Sequence, residues 1–377
     1  MAEAFCEPAY GVRSLGDLVP AAAHALGSPL GPAPTGLTLP DAQSYVVFLI
    51  DGLGARLLER YAHAAPYLSS LLAGSTPATA GVPSTTSTSL TSLGTGLAPG
   101  AHGLVGFTTR IPGTSDLLNA LLWDHDVEPT QWQPHTTAFS SLQAAGVRVT
   151  VVNKREFDGS GLTVAAHRGA DYVGVDRVGE RIAAVVAASR PGPRQPTLTY
   201  VYDGDLDWTG HRWGVASSQW LQRTRDDRPR GRAGCARRCP RTGACSSWRT
   251  TAWSTSPTTR ASTSPPTTSS RDGVAIVGGE ARFRHLYCTG GAVADVVATW
   301  REVVGGRADV LTRAEAIGRG WFGAVDPSVL PRIGDVVVAC RGDFAVLSTD
   351  GFPYEARLIG MHGSLTPDEM LIPVLLD

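Results

Sequence analysis

The sequence predicts an α/β domain with a central, mostly parallel sheet and helices on both of its faces. Three observations lead there. Residues 45–50 (YVVFLI), 147–153 (VRVTVVN) and 197–203 (TLTYVYD) are short, nearly continuous apolar or β-branched runs, the pattern of strands buried on both faces. The stretches between them carry apolar residues at helical spacing, and alternation of strand and helix is the mark of parallel βαβ units. At 377 residues with 42% apolar composition, the chain is long enough to bury a sizeable core.

The elements follow in order. The first strand ends at Asp51-Gly52-Leu53-Gly54, and a helical pattern runs from Ala55 to Leu72. After a Pro/Thr-rich turn, Leu90, Leu93 and Leu97 give helical spacing to residues 85–97. A helix from Phe139 to Ala145 precedes the second strand, and residues 178–189 read as a helix before the third. Toward the C-terminus, DVVVAC and FAVLST read as paired strands. A helix start at Thr366-Pro367-Asp368-Glu369 leads into a last strand, LIPVLL.

Bulk properties narrow the function. The formal net charge of -1 gives no general affinity for nucleic acid or membrane. The N-terminus lacks a basic segment followed by an apolar core, and no apolar run approaches membrane-span length. The six cysteines have no framework spacing, which suits a reducing compartment, so a cytoplasmic location is expected.

Four positions stand out as chemistry. Asp51 follows a buried strand, where open α/β sheets place ligands; a turn aspartate before glycine is the plain alternative. Thr86, within Ser84-Thr85-Thr86-Ser87, opens a helix, where free N–H groups and the dipole favour an anion; it could equally be an N-cap in a Ser/Thr-rich run. Asp207-Trp208-Thr209-Gly210-His211 sets a carboxylate and an imidazole four apart, a donor pair suited to Zn²⁺ or a similar ion, or else a chance pairing in a surface loop. His362 lies in Gly360-Met361-His362-Gly363, whose glycines let its backbone approach an ion, although a lone histidine is commonly structural.

Taken together, Asp51 after the first strand, Thr86 at a helix start, D-x-x-G-H at 207–211 and the G-x-H-G at 360–363 resemble the type I phosphodiesterase/nucleotide pyrophosphatase family of the alkaline phosphatase superfamily. The resemblance covers residues 45–222 and 273–377. It implies an alkaline-phosphatase-like single domain over 1–377 and a hydrolase of phosphodiester or pyrophosphate bonds in a small phosphorylated or nucleotide substrate. It also implies two divalent ions of the zinc type. Asp51 and Thr86 would belong to one ion, and Asp207, His211 and His362 to the other, with Thr86 as the nucleophile. Family members often carry an asparagine shortly after a His-Gly pair; here His102-Gly103 is followed by Leu104-Val105-Gly106-Phe107.

One stretch breaks the pattern. From Arg223 to Gly273 there is no Val, Ile, Leu, Met, Phe or Tyr. Residues 223–271 hold 11 of the 33 Lys and Arg but 2 of the 34 Asp and Glu. So little apolar surface cannot offset the entropy of ordering, so the stretch is expected to be disordered or poorly packed and to supply no sheet strand. The Asp-His-Gly-Met-like motif that would complete the first ion site should lie here, yet no Asp-His pair follows His211. A one-base shift of reading frame accounts for both oddities; the plain alternative is a genuine, disordered Arg/Ser/Thr/Pro insert that replaced the motif. The codons behind Cys245-Ser246-Ser247-Trp248-Arg249-Thr250-Thr251-Ala252-Trp253 then permit Leu-Leu-Val-Val-Ala-Asp-His-Gly-Met, a buried strand running into the missing motif. The alternatives are a catalytically impaired chain that binds at most one metal, and a nucleic-acid-binding protein using the Arg-rich stretch. Little aromatic interleaving, Trp248 and Trp253 alone, argues against the last.

Overall fold

A computed structural model describes residues 4–192, 195–226, 246–248 and 271–377. Five strands form one parallel sheet: β1 (Ser44–Ile50), β2 (Arg148–Asn153), β3 (Asp171–Gly174), β4 (Thr197–Asp203) and β5 (Ser246–Trp248), in the order β3-β2-β4-β1-β5. The register sets Ile50 beside Asp203 and Val152 beside Val201, so the strands end together at one edge. Their Val, Leu and Tyr side chains are buried on both faces, the reason these runs lack alternation.

Helices α1 (Leu18–Ala25), α2 (Ala55–Arg60), α3 (Pro66–Leu72), α4 (Thr86–Thr95), α5 (Ala138–Ala144), α6 (Gly161–His167), α7 (Val178–Ala188), α8 (Asp205–Trp213) and α9 (Ser218–Asp226) accompany this sheet. The single helix expected from Ala55 to Leu72 is two, because Pro66 opens a new helix at N1 rather than continuing the old one. Packing is shared among separate apolar clusters. One joins α1, α4 and α5 to β1, β2 and β4; another joins α2 and α3 to Leu206 and Trp220.

A second sheet was not apparent from the sequence. Strands β6 (Val274–Glu280), β7 (Phe283–Cys288), β8 (Ala308–Thr312) and β9 (Val336–Cys340) pair antiparallel in the order β8-β9-β7-β6. Helix α10 (Val293–Val304) lies against it through Val296, Val297 and Trp300. DVVVAC is β9, but FAVLST is not its partner strand. β9 is already flanked by β7 and β8, and residues 344–348 run as an irregular segment anchored by Val346 N–H donating to Ala281 O. The last strand is shorter than expected: only Leu371–Ile372 pair, with Ala78–Thr79.

Two expectations about residues 223–271 need correction. Residues 223–226 are the last turn of α9, which is anchored by the buried Trp220 and Thr224. Ser246–Trp248 do form a strand, parallel to β1, with Ser246 opposite Tyr45 and Trp248 opposite Val47. Ladder bonding uses backbone groups, and the edge of β1 offers a row of them whatever the incoming side chains are. Thr250 and Thr251, where the shifted frame permits the Asp-His pair, fall outside the described residues.

Candidate metal and phosphoryl site

The carboxyl ends of β1 and β4 carry the site. Asp51 follows β1, is 3% exposed, and its N–H donates to Asp203 O, so the sheet itself places it. Thr86 is the first residue of α4, after Thr85 in extended conformation as N-cap. Its Oγ1 donates to Asp51 Oδ2 at 3.0 Å. Tyr202, the penultimate residue of β4, donates its hydroxyl to the same oxygen at 2.8 Å, and Gly52 N–H reaches Asp51 Oδ1 at 3.1 Å. Burial, with Asp51 and Asp207 nearby, raises the Tyr202 phenol well above its usual value, so it stays a donor.

Helix α4 is rich in Ser and Thr, residues with modest helix propensity, and tertiary contacts hold it. Ser87 Oγ donates to Gly106 O at 3.1 Å and Thr88 Oγ1 to Leu104 O at 2.9 Å, bonding the first turn to the loop after His102-Gly103. His102 is structural here. Its Nδ1 accepts from Leu104 N–H, its Nε2 pairs with Ser92 Oγ at 2.9 Å, and burial lowers its pKa to about 3. Where family members often carry asparagine, Phe107 instead packs its ring against Tyr354, and its N–H donates to Glu280 Oε2. At the other end, Gly94 meets α6 so closely that a Cβ there would lie 1.9 Å from Ala166 O. Gly96, at φ 72°, ends the helix in the left-handed conformation that glycine tolerates.

The Asp207 corner is built on α8 and the loop at 359–363. Asp207 and His211 are a helical i,i+4 pair, so both side chains rise on one face. His362 joins them from 155 residues away. His211 Nε2 lies 3.7 Å from Asp207 Oδ2, His362 Nε2 lies 3.6 Å from Asp207 Oδ1, and the two rings are 5.2 Å apart. His211 Nδ1 bonds Gly360 O at 2.8 Å, and His362 Nδ1 bonds Ser84 O at 2.7 Å. A carbonyl only accepts, so each Nδ1 carries a hydrogen and each ring turns its Nε2 toward Asp207. Burial, then the neighbouring His362, lowers the His211 pKa to about 3.

This donor set fits a divalent ion. Ligands about 2.0–2.2 Å from a tetrahedral centre stand roughly 3.4 Å apart, close to the 3.6 and 3.7 Å found. Among the described residues, Asp207, His211 and His362 are the one group of three or more His, Cys, Asp or Glu side chains gathered this way. Asp51 and Thr86 come together as a pair. The two corners are neighbours, since His362 bonds the carbonyl of Ser84, two residues before Thr86, and one cavity of about 690 Å³ is lined by both Thr86 and Asp207.

Sequence reasoning missed several residues around that cavity. Tyr202 was read only as part of a strand. Lys154 Nζ bonds Asp205 Oδ1 at 3.0 Å, Arg223 also pairs with Asp205, and Arg181 pairs with Asp203. The position of Lys154 just past β2, at the same sheet edge as Asp51, was the signal available for it.

The chain resembles known proteins in sequence and in fold. The sequence model of the type I phosphodiesterase / nucleotide pyrophosphatase family matches residues 45–226. No curated protein sequence matches the chain. Among solved structures, murine ectonucleotide pyrophosphatase / phosphodiesterase 5 superposes with TM-score 0.66 at 13% identity, covering 88% of each chain. An inactive form of that murine protein in complex with AMP gives TM-score 0.67 over the same shares at 13% identity. Phosphonoacetate hydrolase from Sinorhizobium meliloti 1021, in complex with phosphonoformate, gives 0.63 at 17% identity over 90% of this chain and 91% of that one. The chain therefore shares the fold of these structures, an alkaline-phosphatase-like α/β fold.

Proposed function

We propose that this chain, which carries the type I phosphodiesterase/nucleotide pyrophosphatase family over residues 45–226, hydrolyses phosphodiester or pyrophosphate bonds of small, nucleotide-type substrates with Thr86 as nucleophile. The observation that carries the reading is the placement of Thr86 Oγ1. It stands at the N-terminus of a ten-residue helix, 3.0 Å from Asp51 Oδ2, in one cavity with Asp207. The helix N-terminus supports negative charge on the attacking oxygen and on the phosphoryl group, and Asp51 is placed to hold the hydroxyl proton. Attack would form the Thr86 Oγ1–phosphorus bond as the bond to the leaving oxygen breaks; water then cleaves the phosphothreonine. Bound divalent ions, zinc by family resemblance, supply Lewis-acid stabilisation of the attacking and leaving oxygens. Asp207, His211 and His362 would hold one of them, and Asp51 and Thr86 would contribute to the other.

A second reading has its own support. Asp51 and Thr86 gather no third His, Cys, Asp or Glu among the described residues, so the chain as written would hold one ion well and turn over slowly. The out-of-frame account of residues 223–271 explains why: β5 leads toward the edge of the sheet where Asp51 lies, and the permitted Asp-His pair follows directly. The experiment compares the chain as written with a frame-restored chain, measuring metal per protein and turnover of bis-p-nitrophenyl phosphate. One tightly bound ion and little turnover in the first, with two ions and full turnover in the second, is expected. Inactivity of the restored chain would remove the phosphodiesterase reading.

The substrate is the partner this reading requires, with no role for membrane or nucleic acid. Among the described residues no helix is long and apolar enough to cross a membrane. The free thiols of Cys6, Cys288 and Cys340 fit the cytoplasmic location proposed from the sequence.

A further inference from the structure

The cavity beside Thr86 is bordered by a second chemistry that the phosphoryl reading does not use. Besides Thr86 and Asp207 it is walled by Leu90, Leu121, Phe157 and Leu162, and it reaches His167 at the last residue of α6. His167 is 4% exposed, and neither of its ring nitrogens has a hydrogen-bond partner. Its ring is held edgewise in place, stacked on Phe139 at 5.7 Å and tilted against Tyr200 at 4.9 Å. The Tyr200 hydroxyl is buried and equally unpartnered. Buried polar groups without partners are rare, and one that lines a cavity, as His167 does, points to a ligand.

The position along α4 gives the reach. The His167 ring comes within 3.1 Å of where a Cβ on Gly94 would stand, eight residues from Thr86. At 1.5 Å per residue, that is about 12 Å along the helix from the attacking oxygen, the span of a nucleoside-sized group. The chemistry restricts the occupant further. Burial keeps the imidazole neutral, its pKa lowered to about 3, so it offers one donor and one acceptor and no charge. Leu90, Leu121, Phe157 and Leu162 give the cavity an apolar part of its lining, beside the hydroxyls of Ser160 and Thr163.

We propose that His167 is a specificity-determining residue, reading a neutral donor or acceptor at the far edge of a ring-bearing group attached to the phosphoryl centre, such as a nucleobase. The inference rests on the phosphoesterase reading above, and deepens it from a phosphorylated substrate to one with a defined polar edge. Lys154 and Arg223, which also line the cavity, are engaged with Asp205. The apolar side chains named above are left to the organic group.

Calorimetry on the full chain tests it with three probes: AMP, ribose 5-phosphate and inorganic phosphate. The wild type should bind AMP more tightly than ribose 5-phosphate. His167→Phe keeps the ring stack but removes both nitrogens. It should weaken AMP about 10-fold, the value of one good buried hydrogen bond, and leave the other two probes unchanged. His167→Asn, which retains a donor and an acceptor, should recover part of the loss. Equal AMP affinity in wild type and a folded His167→Phe variant would overturn the proposal. So would a loss shared equally by phosphate, which would mean a general disturbance of the site. A wild type that binds no phosphate would instead remove the phosphoesterase reading, and this inference with it.

Discussion

The two corners of the site are built from similar residue types but to different degrees. Around Asp207, three elements converge. α8 supplies an i,i+4 pair, the 359–363 loop supplies His362, and backbone carbonyls of Gly360 and Ser84 fix both rings. Around Asp51, the sheet places the carboxylate and α4 places the hydroxyl, and Thr86, Tyr202 and a backbone N–H bond to it. The first corner gathers three ligand side chains by itself. The second gathers no third His, Cys, Asp or Glu among the described residues. A metal site is thus only as complete as its most distant contributing segment, because each ligand comes from a different element.

The largest expected effect breaks the second corner. Thr86→Ala should lower phosphodiester turnover at least about 10³-fold, with the circular dichroism spectrum and melting behaviour retained, since the methyl side chain still fits the start of α4. A Thr86→Ala enzyme with undiminished kcat on bis-p-nitrophenyl phosphate would assign the chemistry elsewhere.

Next come the ligands of the first corner. His211→Ala and His362→Ala should each weaken zinc binding at least about 100-fold, measured by competition with a chromogenic chelator. Asp207→Asn should do the same, as it faces both imidazoles. If His362→Ala bound zinc like the wild type, the two-loop construction of this corner would be disproved.

A smaller effect tests the packing beneath both. His102, His167 and His285 are buried, with pKa values lowered to about 3, 3 and 4 from 6.5. The unfolded chain therefore binds more protons than the folded one below about pH 6.5. Their contribution to stability is whole above that value and is lost as pH falls toward 3–4, by up to about 1.4 kcal/mol per pH unit for each histidine. Urea unfolding across pH 7 to 4 checks the slope; His102→Gln should reduce it.

The smallest is Tyr202→Phe, which deletes one of the hydrogen bonds to Asp51 Oδ2. Turnover should fall about 3- to 10-fold with little change in metal content, reflecting the loss of about 1 kcal/mol of positioning. An unchanged rate would mean that Thr86 and the backbone alone orient the carboxylate.

Much of the parallel sheet was legible in the sequence. YVVFLI, VRVTVVN and TLTYVYD became β1, β2 and β4 almost residue for residue, since burial on both faces leaves a continuous apolar run that local reading detects. The start of α4 at Thr86 was also legible from spacing. The antiparallel sheet was not. VAIVGGE and FRHLYC contain glycines, an arginine and a histidine, which break the apolar run, and the buried Arg284–Glu355 and Arg282–Glu369 ion pairs beside them are made across 71 and 87 residues of chain.

Local chemistry in the sequence was enough to nominate Asp51, Thr86, Asp207, His211 and His362, because each stands at a strand end, a helix start or a glycine-flanked turn that backbone rules make recognisable. Their meeting was decided only by tertiary structure. Parallel strands deliver Asp51 and Asp203 to one edge, and a carbonyl at Ser84 orients an imidazole 278 residues away. The emptiness of the 223–273 stretch in apolar residues was likewise written in the sequence, while the pairing of Ser246–Trp248 with β1 was not. Side-chain chemistry is local and can be read in order; backbone edges and cavities exist only once distant segments are packed together.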